Sequence, residues 1–211
     1  MSTLDRIRSR IISEFQPMWA LNDPAHRVEH FTRVEDCGNL INTRLGLGYD
    51  PTLITYVAFF HDLFAWSRKN HHRLSAEFVR GTCHPVFEHI TDEQRRLVAS
   101  ACEEHRASFK DAFTNVFCEL MNSADREAPG AVNGMVARAV DYQRARGECS
   151  EQAVLAVSVQ HIKDKFGTGG YARYPELYVR CFGEELDNQR RTVDLMRLDH
   201  FHDRGLYLLT K

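Results

Sequence analysis

The sequence lacks the excess of charge that identifies several large classes of protein. Its 27 basic and 29 acidic residues nearly cancel, so the formal net charge is -2 at pH 7 and the pI is about 6.6. Such a chain has no general attraction to nucleic acid polymers or to anionic membranes, although a local basic pocket can still hold a phosphate. We therefore expect a small-molecule partner, with no nucleic acid polymer and no membrane.

Long apolar runs and paired cysteines are also missing. No stretch approaches the roughly 20 apolar residues that cross a bilayer, and the first six residues contain no signal-peptide hydrophobic region. The cysteines show no C-x-x-C spacing, which argues against a zinc knuckle or a redox pair and favours free buried thiols in a reducing compartment. We expect a cytoplasmic protein. The cysteines are Cys37, Cys83, Cys102, Cys118, Cys149 and Cys181.

Alternating strand patterns, internal repeats and low-complexity linkers are absent as well. Apolar residues instead recur at helical spacing, and capping signals such as Asp50-Pro51 open several of these segments. The pattern predicts an all-α fold. For a chain of 211 residues we expect one domain over 1–211, with a core from about 20 to 190 and a polar C-terminal tail from about 191 to 211.

An adjacent histidine and aspartate, His61-Asp62, are expected in the last turns of an otherwise apolar helix. A buried imidazole and carboxylate are costly unless they are paired or bind a metal, so polar partners should lie opposite them. Two segments offer partners: His26 and His30, one helical turn apart, and Asp125 after another apolar helix. The alternative is a buried hydrogen-bonded cluster without a metal. Two imidazoles and two carboxylates are ligands typical of a divalent transition metal, here His30, His61, Asp62 and Asp125.

The basic segment Trp66–Arg73 comes directly after the His-Asp pair. We predict that it is a loop at the rim of a site, where Lys69 and Arg73 bind an anion such as a substrate phosphate. His26 either supports His30 or contacts phosphate, unless its place on the helix surface is chance. The sequence leaves open whether a second ion makes the site dinuclear. Its candidate ligands are His71, His72, His89 and His105.

Several segments carry a pattern that is recognisable as a whole. They are His26–Val34, His61-Asp62, His105–Phe109, Ser123–Arg126 and His161–Phe166. This order resembles the HD-domain superfamily of metal-dependent phosphohydrolases, in particular the branch that contains bacterial nucleotide pyrophosphatases. The segments are similar to its H-x-x-x-H-x-x-R-V helix, its His followed by Ser-Phe, and its D-A-D-R and H-x-x-x-K-L motifs. The resemblance covers roughly residues 26 to 190, but Glu127-Ala128 stands where the branch has Leu-Asp, at the substrate end of the site.

The resemblance implies a metal-dependent phosphohydrolase that acts on a small phosphorylated substrate by attack of a metal-activated water on phosphorus. A nucleotide (dNTP, NTP or NMP) is the favoured substrate. The implied cofactor is a divalent metal ion, for which Mn²⁺, Mg²⁺, Co²⁺ and Fe²⁺ are all admissible. The implied site has His30, His61, Asp62 and Asp125 as metal ligands, Asp62 and His105 as catalytic residues, and Arg106 and Lys165 as contacts to phosphate.

Other functions remain open at this point. Within the enzyme class they are a monophosphatase, a triphosphohydrolase, a pyrophosphatase and a cyclic-nucleotide phosphodiesterase. Outside it, a catalytically silent HD module would bind a nucleotide as a sensor or hold a protein partner, and a helical interaction protein would need no metal. A homo-oligomer is also left open by the sequence.

Overall fold

Helices account for the regular structure of the protein. The computed structural model describes residues 2–23, 25–130, 132–145, 147, 150–199 and 201, apart from the side chain of Asn133. Over these residues the chain forms nine α-helices, one short 3₁₀ turn at Pro85–Phe87 and no strand, which confirms the all-α prediction. The helices are α1 Thr3–Trp19, α2 Val28–Arg44, α3 Pro51–Phe60, α4 His71–Gly81, α5 Asp92–Glu104, α6 Val116–Ala124, α7 Val132–Ala145, α8 Glu151–Phe166 and α9 Glu176–Asp194.

Three helix boundaries differ from the sequence prediction. Helix α3 ends just before His61, which is its C-cap, so His61 and Asp62 follow the helix instead of lying within its last turns. Helix α2 begins at Val28, so His26 precedes it. The predicted rim loop is shorter, because α4 already begins at His71. In each case the helix boundary falls next to a residue that the sequence places in the candidate site.

The described residues divide into two compact units. The first comprises the described residues of 1–128 together with Pro175–Cys181, and the second those of 129–174 and 182–211. Helix α9 passes from one to the other at Phe182, whose φ of -126° and ψ of 18° are not helical. A single domain over 1–211 stays a prediction. Of the expected C-terminal tail, residue 200 and residues 202–211 lie outside the described residues.

Helix α3 lies in the core of the first unit. Every residue from Leu53 to Phe60 is buried, as expected for a helix that is apolar on all sides. Gly38 lets α2 approach α3, because a Cβ at this glycine would lie only 2.8 Å from Ile54 Cγ2. Aromatic rings close the core, with Phe15 in edge contact with Phe60 at 4.9 Å between centroids. The His-Asp pair therefore directly follows a tightly packed helix.

The second unit has a core of its own. Valines and other apolar residues of α7, α8 and the end of α9 form one buried cluster, which includes Val136, Val159 and Val193. Helix α8 begins at its Ser150 cap and ends before Gly167. The glycine-rich segment that follows the helix therefore starts from a well-packed element.

Two absences noted in the sequence can be compared with the structure. Four of the five described cysteines are free thiols, of which Cys37, Cys102 and Cys118 are buried and Cys83 is exposed. Cys181 is partly buried. The prediction of burial is wrong for Cys83, because it lies in the turn after α4. The sixth cysteine, at position 149, lies outside the described residues. None of the described helices combines the length and apolar composition that a membrane span requires.

Candidate metal centre

The His-Asp pair follows directly after the buried helix α3. His61 begins a run of turns, and the two residues are only 1% and 4% exposed. The ring of His61 is fixed by a hydrogen bond of 2.9 Å between Nδ1 and Ala58 O. Because a carbonyl oxygen can only accept, Nδ1 carries the proton and donates. The Nε2 atom of His61 therefore keeps its lone pair for another partner.

Four ligand atoms from three segments form a first cluster. The Nε2 atoms of His30 and His61 lie 3.3 and 3.4 Å from Asp125 Oδ1. The same two atoms lie 3.9 and 3.4 Å from Asp62 Oδ2. On the other side of the His30 ring, Nδ1 donates to Glu127 Oε1 at 3.1 Å, which leaves Nε2 as the ligand atom. The structure thus brings together all four predicted metal ligands.

A second cluster uses the other oxygen of Asp62. Its Oδ1 lies 3.3 Å from His71 Nε2 and 3.4 Å from His105 Nε2, and these two Nε2 atoms are 3.2 Å apart. The Nδ1 atoms of both rings donate to carbonyls, His105 to Cys102 O at 2.7 Å and His71 to Arg68 O at 3.2 Å. Asp62 therefore has one oxygen in each cluster and could contribute a ligand atom to an ion in either.

The chemistry of these residues fits a divalent cation. Three groups of them are close enough to share an ion. Among the described residues, the buried atoms His30 Nε2, His61 Nε2 and Asp62 Oδ1 have no hydrogen-bond partner, which is costly unless something else satisfies them. Atoms held about 2.1 Å from one ion at tetrahedral angles lie about 3.4 Å apart, close to the spacing of the first cluster. The His/Asp cluster could therefore bind a metal.

Charge in the cluster is strongly coupled. Burial raises the pKa of Asp62 and Asp125, but the neighbouring imidazoles outweigh burial and hold both pKa values well below the ordinary range. Burial lowers the pKa of His61, yet the two carboxylates raise it well above its ordinary value. His71 behaves differently, because burial dominates there and lowers its pKa to about 4. At neutral pH the imidazole of His71 is therefore uncharged.

The other predicted site residues lie at varied positions. His26 Nδ1 donates to Asp23 at 2.8 Å, and its Nε2 lies 3.8 Å from Asp62 Oδ2, so it lies beside the first cluster. Arg106 is partly buried, and its Nη1 donates to Lys69 O at 3.2 Å. Lys69 itself is exposed. The roles assigned to these residues stay predictions.

Four residues considered in the sequence lie outside the two clusters. Arg73 is exposed on the first turn of α4. His72 and His89 belong to none of the described groups that could share an ion, so the second cluster contains His71 and His105 instead. Lys165 belongs to the second unit, where it lines a separate cavity. The contact of Lys165 with substrate phosphate stays a prediction.

The sequence did not identify Glu127 as a site residue. Its Oε1 accepts from His30, its Oε2 accepts from Arg33 Nε at 2.9 Å, and its φ of 57° is unusual for a residue with a side chain. Burial raises the pKa of Glu127, but His30 and Arg33 outweigh it and lower that pKa. The only signal was the departure from Leu-Asp at this point.

The sequence also gave no indication that Asn22 supports the site. Its side chain donates to Asp62 O at 3.0 Å and accepts from Trp66 N at 3.0 Å, so it holds the turns that follow the His-Asp pair. It is buried, and the partners in these two hydrogen bonds are 40 and 44 residues away in sequence. No local pattern marks such a residue.

Comparisons of the chain with protein-family models, with curated proteins and with solved structures found no match. The site is therefore defined by its own geometry: an all-helical first unit with a buried His/Asp cluster that could hold a metal ion, consistent with an HD-type site.

Proposed function

We propose that this protein is a metal-dependent phosphohydrolase of the HD type that acts on a small phosphorylated molecule, with a nucleotide favoured. The observation that supports this most directly is the convergence of two imidazoles and two carboxylates at 3.3 to 3.9 Å, with buried ligand atoms that lack hydrogen bonds. The order of these residues along the chain also resembles that of the HD superfamily. A module that only binds a partner has no need of such a ligand set.

The residues of the site have distinct tasks in this proposal. A bound divalent ion would lower the pKa of a coordinated water and withdraw charge from phosphorus. Asp62 stays ionised at neutral pH and so can orient the attacking water. Arg106, at the end of α5 beside Lys69, supplies positive charge to the phosphoryl oxygens. His105, fixed through its Nδ1, orients the same side of Asp62.

We further propose that the site is dinuclear, with Asp62 as the bridge. The second cluster of Asp62, His71 and His105 supports this, since two imidazole Nε2 atoms and the Oδ1 atom of Asp62 lie within 3.4 Å of one another. Metal analysis of the purified protein should give two ions per chain, and His71→Ala should reduce this to one. One ion in the parent protein, unchanged by His71→Ala, would contradict the dinuclear form and leave the mononuclear one.

The test of the function is a substrate panel. Release of phosphate and pyrophosphate is measured from ribo- and deoxynucleoside mono-, di- and triphosphates and from cyclic nucleotides, with Mn²⁺, Mg²⁺, Co²⁺ and Fe²⁺ tested separately. We expect turnover of one class. Asp62→Asn should lose more than the roughly 10–100-fold that outer-shell partners cost, because Asp62 contributes to both clusters. The matched control is Asp111→Asn, an exposed aspartate outside the site, which should retain activity.

Two negative results would distinguish between the alternative functions. Bound metal without turnover of any nucleotide would contradict a nucleotide phosphohydrolase and favour either a phosphate ester that is not a nucleotide as the substrate or the silent binding module. A protein that binds no divalent metal, and shows no thermal shift on its addition, would contradict every metal-dependent function and favour the hydrogen-bonded cluster.

A further inference from the structure

The second unit contains a cavity for which the proposed metal centre gives no role. It measures about 300 Å³ and lies at the end of α8, where Gly167–Gly170 and Ala172–Tyr174 form part of its wall together with Lys165, Phe166 and Arg190. A cavity of this volume is at the lower end of the range that holds small molecules. The shape therefore suits a compact ligand.

The charge on the wall selects an anion. Lys165, Arg173 and Arg190 are cations, and none of the lining residues is a carboxylate. Among the described residues, the guanidinium group of Arg173 donates through Nη1 to the carbonyls of Gly170 and Ala172, at 3.4 and 3.5 Å. A guanidinium has five N–H donors, so most of those on Arg173 remain to bind a ligand.

Arg190 also has N–H donors that remain to bind a ligand. Its Nη1 donates to Asp187 Oδ1 at 3.1 Å on the same helix, and its guanidinium lies 5.9 Å from the Tyr174 ring centroid. The pair with Asp187 involves exposed side chains and is consequently weak. Two guanidinium groups and an ammonium that line one cavity match the several oxygens and the double charge of a phosphate better than the single charge of a carboxylate.

Close packing restricts the conformation of the glycine-rich loop, Gly167–Gly170. A Cβ at Gly167 would lie 2.6 Å from Asp194 Oδ1, and one at Gly170 would lie 2.6 Å from Lys165 O. Gly169 has a φ of 79°, which favours glycine. The loop is therefore held in one conformation that brings bare backbone to the cavity wall, where a ligand can approach it closely.

We propose that this cavity binds the phosphoryl group of a small phosphate ester, with Arg173 and Arg190 donating to its oxygens and Lys165 adding positive charge. The aromatic residues Phe166 and Tyr174 line the same cavity and offer an apolar wall to the organic part of the ligand. An ester with a planar group, such as a nucleoside monophosphate, should therefore bind more tightly than inorganic phosphate. The proposal is independent of the metal centre.

The experiment measures binding by calorimetry to the full chain after removal of metal with a chelator. The probes are adenosine 5′-monophosphate, inorganic phosphate and adenosine. We expect saturable binding of the monophosphate, weaker binding of phosphate, and little binding of adenosine. Arg173→Gln and Arg190→Gln should each weaken binding about tenfold or more, because each removes charge-assisted hydrogen bonds. The matched control is Arg191→Gln, the next residue of α9, which is exposed and does not line the cavity.

Several outcomes would overturn the proposal. They are no saturable binding of the monophosphate at millimolar concentration, unchanged affinity in both arginine variants, and an equal loss in Asp125→Asn, which would assign the binding to the metal centre. Equal affinity for phosphate and the monophosphate would reject an ester as the ligand. If circular dichroism shows that Arg190→Gln is misfolded, Arg190→Lys replaces it and should weaken binding through loss of the planar fork while keeping the charge.

Discussion

Glu127 offers a sharp test of the metal centre because its backbone and its side chain favour different residues. Its φ of 57° lies in the left-handed region, which costs a residue with a Cβ about 1 kcal/mol and suits glycine. Its carboxylate, however, accepts hydrogen bonds from His30 Nδ1 at 3.1 Å and from Arg33 Nε at 2.9 Å. We infer that the carboxylate fixes the proton of His30 on Nδ1 and keeps Nε2 available as a ligand.

The expected magnitudes follow from these contacts. Loss of a carboxylate that orients a metal-binding histidine typically weakens metal affinity by about 10–100-fold, or about 1.4–2.8 kcal/mol. The stability of the metal-free protein should change less. The ion pair of Glu127 involves an Arg33 side chain that is 46% exposed, so its contribution is about 0–1 kcal/mol. In Glu127→Gly the relief of backbone strain of about 1 kcal/mol offsets part of that loss.

The assay compares Glu127→Gly and Glu127→Gln with the parent protein. Metal affinity is measured by competition for Mn²⁺ or Co²⁺ against a chelating indicator, and the free energy of unfolding by urea titration without metal. The control is Glu29→Gln, an exposed glutamate in the first turn of α2, which should resemble the parent. Parent-like metal affinity in both Glu127 variants would refute the reasoning. A loss of unfolding free energy as large as the loss in binding would mean that Glu127 acts on folding alone.

Three further predictions concern charge and packing. Neighbouring carboxylates raise the pKa values of His30 and His61 despite burial, so the metal-free protein should be stabilised below about pH 6.5 and lose that stabilisation as the pH rises through the raised values. Urea unfolding at a series of pH values tests this. Asn122→Ala removes donors to two backbone carbonyls at 2.6 and 3.1 Å and should cost about 1–3 kcal/mol in the same assay. Gly38→Ala should cost about 1–3 kcal/mol by overpacking α2 against α3, whereas Gly134→Ala, where a Cβ has room, should stabilise by about 0.5–1 kcal/mol; thermal melts compare the two.

The sequence could predict the helical class and the first cluster because both depend on strong local signals. A charged pair in an apolar run, as at His61-Asp62, requires polar partners, and few segments of the chain offered them. The structure brings His30 and Asp125 to that pair within 4 Å. Helix ends were less predictable: α2 starts after His26 and α3 stops before His61, where local capping decides the boundary.

The second cluster and the position of Glu127 could not be derived from the spacing of residues along the sequence. His71, His72 and His89 were equal candidates in the sequence, and only the packing of α4 against α5 brings His71 to His105. Glu127 depends on a positive φ that no residue pattern reveals. Such features arise from tertiary contacts between segments that are distant in sequence, so a local reading does not contain them.

The two clusters differ in whether a histidine carries a proton that a metal ion would displace. In the first cluster the carboxylates raise the pKa of His61, so an added proton can satisfy the facing acceptor atoms in the absence of metal. In the second cluster burial lowers the pKa of His71 to about 4, and its Nδ1 proton already binds Arg68 O. At neutral pH no proton is then available on Nε2 of His71 for Asp62 Oδ1, which is buried and has no hydrogen-bond partner among the described residues. Metal binding to His71 should therefore displace no proton from that ring above about pH 5, whereas binding at the first cluster should displace the added proton of His61.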